Sequence, residues 1–316
     1  MIRLSFKTLL CALTFTAVTL AALAKPIIEG EDSFEFAYRA TLPEISEPAR
    51  LWLPIAQSNK SQKVEITSID APGPYTSSSE ERFGNRVLFM EVDPKMSGQT
   101  VEVNYRVHRY ENTGTLAENP EEKNKFLKAS SLVPNNERLA KIAQDATQES
   151  SLPGTVGPNL YWHTLEQMSY DKSGDGWGRG DAIYACDAKT GNCTDFHSYF
   201  IALARTLDVP ARFSIGFTIP SDHDKGIIGG YHCWAEYLND DNWIPVDISE
   251  ADKHPELKDY FLGNHPANRF QFTVGRDLEL NPSPKSGTVN YLIYPLFEIA
   301  GKQQKIETEF AFQRIK

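Results

Sequence analysis

The chain has 316 residues, of which 41% are hydrophobic, 23% charged and 11% aromatic. This length and balance are typical of a globular protein of about two domains, and they exclude a fibrous, disordered or peptide-sized molecule. The formal net charge is -10, and no cluster of lysine and arginine offers a surface for phosphates, so nucleic acid is not expected as a partner.

The first 24 residues have the pattern of a cleavable export leader. Arg3 and Lys7 precede an apolar stretch over residues 8–21, and Ala22-Leu23-Ala24 is a small-x-small cleavage site. We therefore predict a signal peptide over residues 1–24, and a periplasmic or secreted protein that makes no stable membrane insertion after cleavage. A membrane anchor is the alternative, but the apolar stretch is short for a span.

The number of cysteines becomes odd once the leader is removed. Cys11 leaves with it, and lacks the small residues in front that a lipidated cysteine needs, so Cys186, Cys193 and Cys233 remain. In an oxidising compartment at least one of these three has no partner within the chain. A thiol that stays free there is buried and inert, joined to another molecule or used chemically.

Residues 33–111 alternate between apolar and polar positions, which is typical of half-buried strands. Turn-rich segments such as Ala71-Pro72-Gly73-Pro74 separate the runs. The alternating apolar residues are Phe34, Phe36, Tyr38, Val64, Ile66, Val87, Phe89, Val101, Val103, Tyr105 and Val107. The pattern predicts a small antiparallel β-sandwich, to which we assign residues 25–118.

A polar segment over residues 112–125 is expected to link this sandwich to a second domain, residues 119–316. The second domain has an α+β pattern. Helices are predicted over 136–147, 159–168 and 193–207, and strands over 212–217, 231–238 and 243–248. The helix that begins at Cys193 is expected to be central and buried on one face. Three further extended segments, 269–274, 289–299 and 305–313, are expected to complete or flank the same sheet.

Cys193 is the strongest candidate for a reactive group. It follows Asn192, a good helix cap, so its thiol is expected in the first turn, where unpaired N–H groups and the helix dipole favour a thiolate. Asp195 complements the same helix end but repels a thiolate, so the net direction stays open. The alternative is that Cys193 is a small buried hydrophobe.

A thiol nucleophile needs an imidazole base and a group that orients the imidazole. His197 lies one helical turn beyond Cys193, and His232 begins a predicted strand. Asp247 ends the next predicted strand, and a hairpin of the two strands would bring it beside His232. No comparable acid accompanies His197, so His232 is the stronger candidate for the base.

The segments GNCTDFHSYFIALARTLDVPARFSIGF, GYHCWAEYL and WIPVDISEA, in that order, resemble the core of the transglutaminase-like superfamily, over about residues 160–251. The resemblance implies a papain-like core in which a helix carrying the cysteine packs on an antiparallel sheet. It assigns Cys193 as nucleophile, His232 as base and Asp247 as orienting acid, and gives His197 no catalytic role.

The implied activity is thiol-dependent acyl transfer on a protein, peptide or cell-envelope amide, by hydrolysis or transamidation. The family also includes inactive scaffolds, so a non-catalytic binding module of the cell envelope is the alternative. No cofactor and no metal are expected. Trp162 and Trp177 are both candidates for the donor of an indole N–H to an oxyanion.

The cysteines, His232 and a nearby loop also raise the possibility of two metal sites and one disulfide. Strand alternation places His232 and Cys233 on opposite faces, which disfavours a zinc site with Cys186 and Cys193. The segment Asp171–Gly176 imitates the start of a calcium loop, but the twelfth place is an alanine, so we favour a glycine-rich loop at the rim of the site. Cys233, facing away from the site, is expected to be able to pair with Cys186.

Overall fold

The computed structural model describes residues 26–117, 120–148 and 154–315. The protein contains both helices and sheets, with about 22% of residues in helix and 38% in strand. The predicted leader, its cleavage point and the predicted boundary between residues 118 and 119 lie outside the described residues. Within the described residues, no helix is both long and apolar enough to cross a membrane.

Six strands make up the N-terminal part: β1 (Glu31–Thr41), β2 (Ala49–Ile55), β3 (Gln62–Asp70), β4 (Thr76–Ser79), β5 (Arg86–Val92) and β6 (Thr100–Tyr110). The alternation predicted for β1 and β6 is confirmed, since Phe34, Phe36 and Tyr38 are buried and face the same core as the valines of β6. In β5, Leu88 and Met90 join that core, whereas Val87 packs in a second, smaller cluster.

The middle of the chain alternates short strands with helices: β7 (Thr115–Leu116), α1 (Pro120–Leu127), α2 (Glu137–Thr147), α3 (Val156–Gln167), β8 (Ser169–Tyr170), α4 (Ala182–Ala188), β9 (Thr190–Gly191) and α5 (Cys193–Thr206). The three predicted helices are confirmed as α2, α3 and α5. The predicted linker is in part structured, because it contains β7 and most of α1. Helix α1 escaped detection because it is short and polar, with Phe126 as its buried residue.

The remaining elements are β10 (Ala211–Thr218), β11 (Lys225–Ile227), β12 (His232–Asn239), β13 (Asn242–Val246), α6 (Ile248–Lys253), β14 (Arg269–Val274), β15 (Leu296–Ile299), β16 (Lys302–Gln304) and β17 (Glu307–Arg314). The core sheet has the order β14-β10-β12-β13-β7, and each pair of neighbouring strands is antiparallel. The predicted strand over 243–248 ends earlier, because Asp247 caps α6.

The last strands were expected to complete or flank the core sheet, and only one of the three segments pairs within it, while Phe310 of β17 packs on Phe217 of β10. Segment 269–274 is β14 of the core sheet, as predicted. In contrast, β15 pairs with β2 and β17 pairs with β1. The two outer sheets are therefore built from both ends of the chain, in the orders β11-β17-β1-β6-β3 and β16-β15-β2-β5-β4.

Helix α5 lies at the centre of the molecule. Each of its residues from Cys193 to Arg205 is buried, including the polar Thr194, Asp195, His197 and Ser198. Helices α2, α3, α4 and α6 and strands β10 and β12 pack around it. The expectation of one buried face is therefore wrong, because the helix is enclosed on all sides and its polar residues find their partners inside the protein.

Candidate active site

The N-terminus of α5 is closed by a reciprocal cap. Asn192 Oδ1 accepts from the Thr194 N–H at 2.9 Å, and Asp195 Oδ2 accepts from the Asn192 N–H at 3.0 Å. Cys193 follows the cap with only 3% of its surface exposed. Its thiol therefore lies at the positive end of a buried helix, an environment that favours the thiolate.

His232, the first residue of β12, lies against this thiol. Burial alone would raise the thiol pKa, but hydrogen bonds with Cys233 and His232 and the charge of the imidazolium lower the pKa of Cys193 well below its usual range. Because His232 sits at the very end of its strand, its ring reaches the helix tip. The sequence left open whether the pKa of Cys193 is raised or lowered, because Asp195 is nearby; in the structure it is lowered.

Asp247 holds the other side of the imidazole. His232 Nε2 donates to Asp247 Oδ2 at 2.7 Å, and both side chains are buried. Burial lowers the pKa of His232, but the Asp247 carboxylate more than offsets this and raises that pKa to about 9. This bond occupies Nε2 and leaves Nδ1 for the Cys193 thiol. The three side chains named from the sequence therefore meet at one place.

Asp247 itself is fixed by α6 and by a buried cation. Its Oδ1 accepts from the Glu250 N–H at 3.2 Å and from the Ser249 hydroxyl at 3.3 Å. Its Oδ2 also accepts from Arg269 Nη2 at 3.2 Å. Burial would raise the pKa of the Asp247 carboxyl, but His232 and Arg269 hold it well below its usual range. Sequence reasoning missed Arg269, which comes 22 residues later and belongs to no motif.

His197, the rival base, is occupied elsewhere. Its Nδ1 donates to the Cys193 carbonyl at 2.7 Å, and its Nε2 accepts from the Ile248 N–H at 3.1 Å. Both ring nitrogens are therefore used by the backbone, which requires a neutral ring, and burial lowers the pKa of His197. This residue ties the start of α5 to the start of α6.

All three cysteines described by the structure are free and buried. Cys233 lies on the side of Cys193, with its sulfur 3.7 Å from His197 Nδ1, and Cys186 contacts Tyr199 instead. The expected pairing of Cys186 with Cys233 is therefore wrong. His232 is paired in β12 and its ring lies near that of Trp234, as alternation requires, but Cys233 faces α5 beside His197 and Cys193 and so does not point away from the site.

A glycine-rich loop, residues 171–181, lies beside the helix tip, as predicted. Asp195 Oδ2 accepts from the Gly178 N–H at 2.7 Å and Asp195 Oδ1 from the Gly180 N–H at 3.0 Å. Arg276, which sequence reasoning did not single out, donates to the Gly180 carbonyl at 2.9 Å and to Ser198 Oγ at 2.6 Å. A buried carboxylate and a buried guanidinium thus hold the loop in place.

Tyrosines line another side of the helix tip. The Tyr231 hydroxyl accepts from Asn192 Nδ2 at 3.1 Å and is 2.9 Å from Thr194 Oγ1. Its ring lies against Tyr291 and Tyr294. Of the two tryptophans, Trp162 packs against Tyr161 on α3 and Trp177 lies in the glycine-rich loop near Lys172. The side-chain oxyanion donor stays a prediction.

Within the described residues, no group of three histidine, cysteine, aspartate or glutamate side chains is arranged to hold a metal ion. Asp171, at the start of the calcium-like segment, instead accepts from the N–H and the hydroxyl of Ser173, at 2.8 and 2.7 Å.

Comparison with known proteins agrees with this architecture. Residues 140–248 match the model of the transglutaminase-like superfamily. An "uncharacterized protein" of Haemophilus influenzae is 26% identical over 317 residues, with 85% of each chain covered. The resemblance read from the sequence is confirmed for this region.

Solved structures also align with this chain, at low sequence identity. A protein from Cytophaga hutchinsonii named as a "putative cysteine protease" aligns with a TM-score of 0.60 and 14% identity, over 91% of this chain and 99% of that one. The periplasmic domain of TgpA from Pseudomonas aeruginosa aligns with a TM-score of 0.40 and 15% identity, over 72% and 91%. The first of these shares the overall fold, and the family match over residues 140–248 identifies the core as transglutaminase-like.

Proposed function

We propose that this protein, whose residues 140–248 form a transglutaminase-like domain, is a cysteine-dependent acyl-transfer enzyme that acts on amide or peptide bonds. The observation that carries the proposal is the chain of contacts from the Cys193 thiol to His232 and from His232 Nε2 to Asp247 at 2.7 Å. A thiol, an imidazole and a carboxylate in this order are the parts that nucleophilic acyl transfer requires.

The proposed reaction begins with attack of the Cys193 thiolate on the carbonyl carbon. The N–H of Cys193, in the first turn of α5, is the proposed donor to the oxyanion. The imidazolium of His232 then protonates the leaving amine, and a thioester forms as the C–N bond breaks. Water or an amine, deprotonated by His232, attacks the thioester and releases Cys193. Asp247 keeps the imidazole oriented throughout.

Hydrolysis and transamidation differ only in the second nucleophile. The substrate is proposed as a protein, peptide or cell-envelope amide, in keeping with the predicted export to the periplasm or the outside of the cell. The enclosed position of Cys193, 3% exposed, is compatible with the rival function, a binding module that keeps the core but not the chemistry. Turnover of an amide substrate distinguishes the two functions, because only the enzyme turns a substrate over.

The test is a screen of peptide and cell-wall amides with wild-type protein and with Cys193→Ala. We expect release of amine from at least one class of amide by the wild type, and a loss of about 10³-fold or more in Cys193→Ala. Adding a primary amine then distinguishes transfer from hydrolysis by the mass of the product. Equal turnover by the wild type and Cys193→Ala would contradict the proposal.

A further inference from the structure

The carboxylate that orients His232 is shared with a buried arginine. Arg269 begins β14, at the edge of the core sheet, and its side chain is completely buried. Arg269 Nη2 donates to Asp247 Oδ2 at 3.2 Å, and this is the oxygen to which His232 Nε2 donates at 2.7 Å. Imidazole and guanidinium therefore lie within about 6 Å of each other, on one oxygen atom.

Orientation of the imidazole does not by itself require this arginine. Asp247 is already fixed by Glu250 N–H and the Ser249 hydroxyl at the start of α6. A buried guanidinium is costly unless it is paired, and here it shares the Asp247 carboxylate with the imidazole, while Glu250 Oε2 lies farther off, at 4.0 Å. Guanidinium groups keep their charge throughout the pH range in which imidazole and thiol titrate. The position of Arg269 therefore has an electrostatic consequence for His232.

We propose that Arg269 is a positioning residue that sets the working pH range of the site, because its charge keeps Asp247 ionised and limits how strongly Asp247 retains a proton on His232. The effect on catalysis rests on the proposed function, whereas the electrostatic effect on His232 rests on the oxygen, Asp247 Oδ2, that both groups contact. Arg269 acts through Asp247, and it need not touch a substrate.

Other charged or ionisable groups also face His232, Asp247 or Arg269, from α3, α5, α6, β6, β12 and the segment after α6. These are Arg109, Tyr161, Cys193, His197, Cys233, Glu250, Tyr260 and His265. Glu250 and Lys253 bond to each other at 2.8 Å, and burial lowers the pKa of both His197 and His265, which favours their neutral forms. In the part of the chain that the structure describes, Arg269 is the guanidinium bonded to Asp247.

The experiment follows the titration of the His232 ring by NMR in protein labelled with ¹⁵N at histidine, with His232→Gln to assign the signal. Removing a positive charge within about 6 Å is expected to raise the titration midpoint of His232 by about one pH unit in Arg269→Gln. Arg269→Met, whose apolar side chain needs no partner, is the second neutral variant if Arg269→Gln does not fold. Arg269→Lys keeps the charge and should restore most of the midpoint.

Arg205→Gln is the matched control, since it removes a buried guanidinium at the far end of α5. It should lower stability and leave the His232 midpoint unchanged. A midpoint that moves by less than about 0.2 units in the folded neutral variants, or that moves equally in Arg269→Lys, would overturn the proposal. Because the NMR readout needs no substrate, it is separate from the proposed function, which fails instead if Cys193 shows no unusual reactivity and no turnover.

Discussion

Asp247 is the residue on which the contacts of the site converge. Its two carboxylate oxygens contact His232, Arg269, Ser249 and the Glu250 N–H. The sequence predicted that Asp247 lies close to His232, because a hairpin of β12 and β13 brings the two residues together. It did not predict Arg269, since no short-range pattern connects a strand residue to a carboxylate across the sheet.

The ion pair of His232 and Asp247 makes stability depend on pH in a defined direction. Asp247 raises the pKa of His232 to about 9, against about 6.5 for a free imidazole. The pair therefore contributes fully below about pH 6.5, and this contribution is lost as the pH rises through about 9. We therefore compare the free energy of unfolding of the wild type with that of His232→Gln. The difference between the two proteins should be about 1 to 3 kcal/mol larger at pH 6 than at pH 9.5.

Urea unfolding of both proteins at several pH values measures this difference. A difference between wild type and His232→Gln that stays constant from pH 6 to pH 9.5 would show that His232 carries no raised pKa in the folded protein.

At the scale of elements, the tip of α5 and the glycine-rich loop depend on one carboxylate. Asp195 accepts from the backbone N–H groups of Gly178, Gly180 and Asn192. In Asp195→Asn the charge-assisted bonds are weakened, and the new amide group faces N–H donors. We expect this variant to lose about 2 to 4 kcal/mol of unfolding free energy.

The matched control is Asp145→Asn on α2, where an exposed carboxylate pairs with Lys141 one turn away at 3.1 Å. Its effect should be within about 0.5 kcal/mol. Chemical denaturation of both variants checks the prediction. Equal losses in the two variants would mean that Asp195 does not hold the loop.

Local patterns predicted helices α2, α3 and α5, and the shortness of other helices explains why they were missed. Asn136 and Asn192 caps mark the starts of α2 and α5, and the apolar spacing marks their length. Helix α6 was missed because it has six residues, too few for a periodic pattern, and because Asp247 looks like the end of a strand. Helix α1 was missed for the same shortage of apolar positions.

At the scale of the whole molecule, the two ends of the chain meet in one hydrophobic core. The Phe36 ring of β1 packs on Phe217 of β10, Phe270 of β14 and Phe310 of β17, with ring centroids 5.0–6.4 Å apart. Alternation predicts that β15 and β17 are strands, but it does not identify their partners, because pairing is decided by long-range packing. The strands at 296–299 and 307–314 therefore pair in the outer sheets and not in the core sheet.

The central claim is that His232 activates Cys193 as a nucleophile, and the rate of alkylation tests it most directly. Protein at pH 7 is treated with iodoacetamide, and the labelled cysteine is identified by peptide mass. We expect Cys193 to be labelled about tenfold or more faster than a free cysteine, and His232→Ala to abolish this difference in rate. Labelling of Cys193 no faster than a free thiol, or unchanged labelling in His232→Ala, would contradict it.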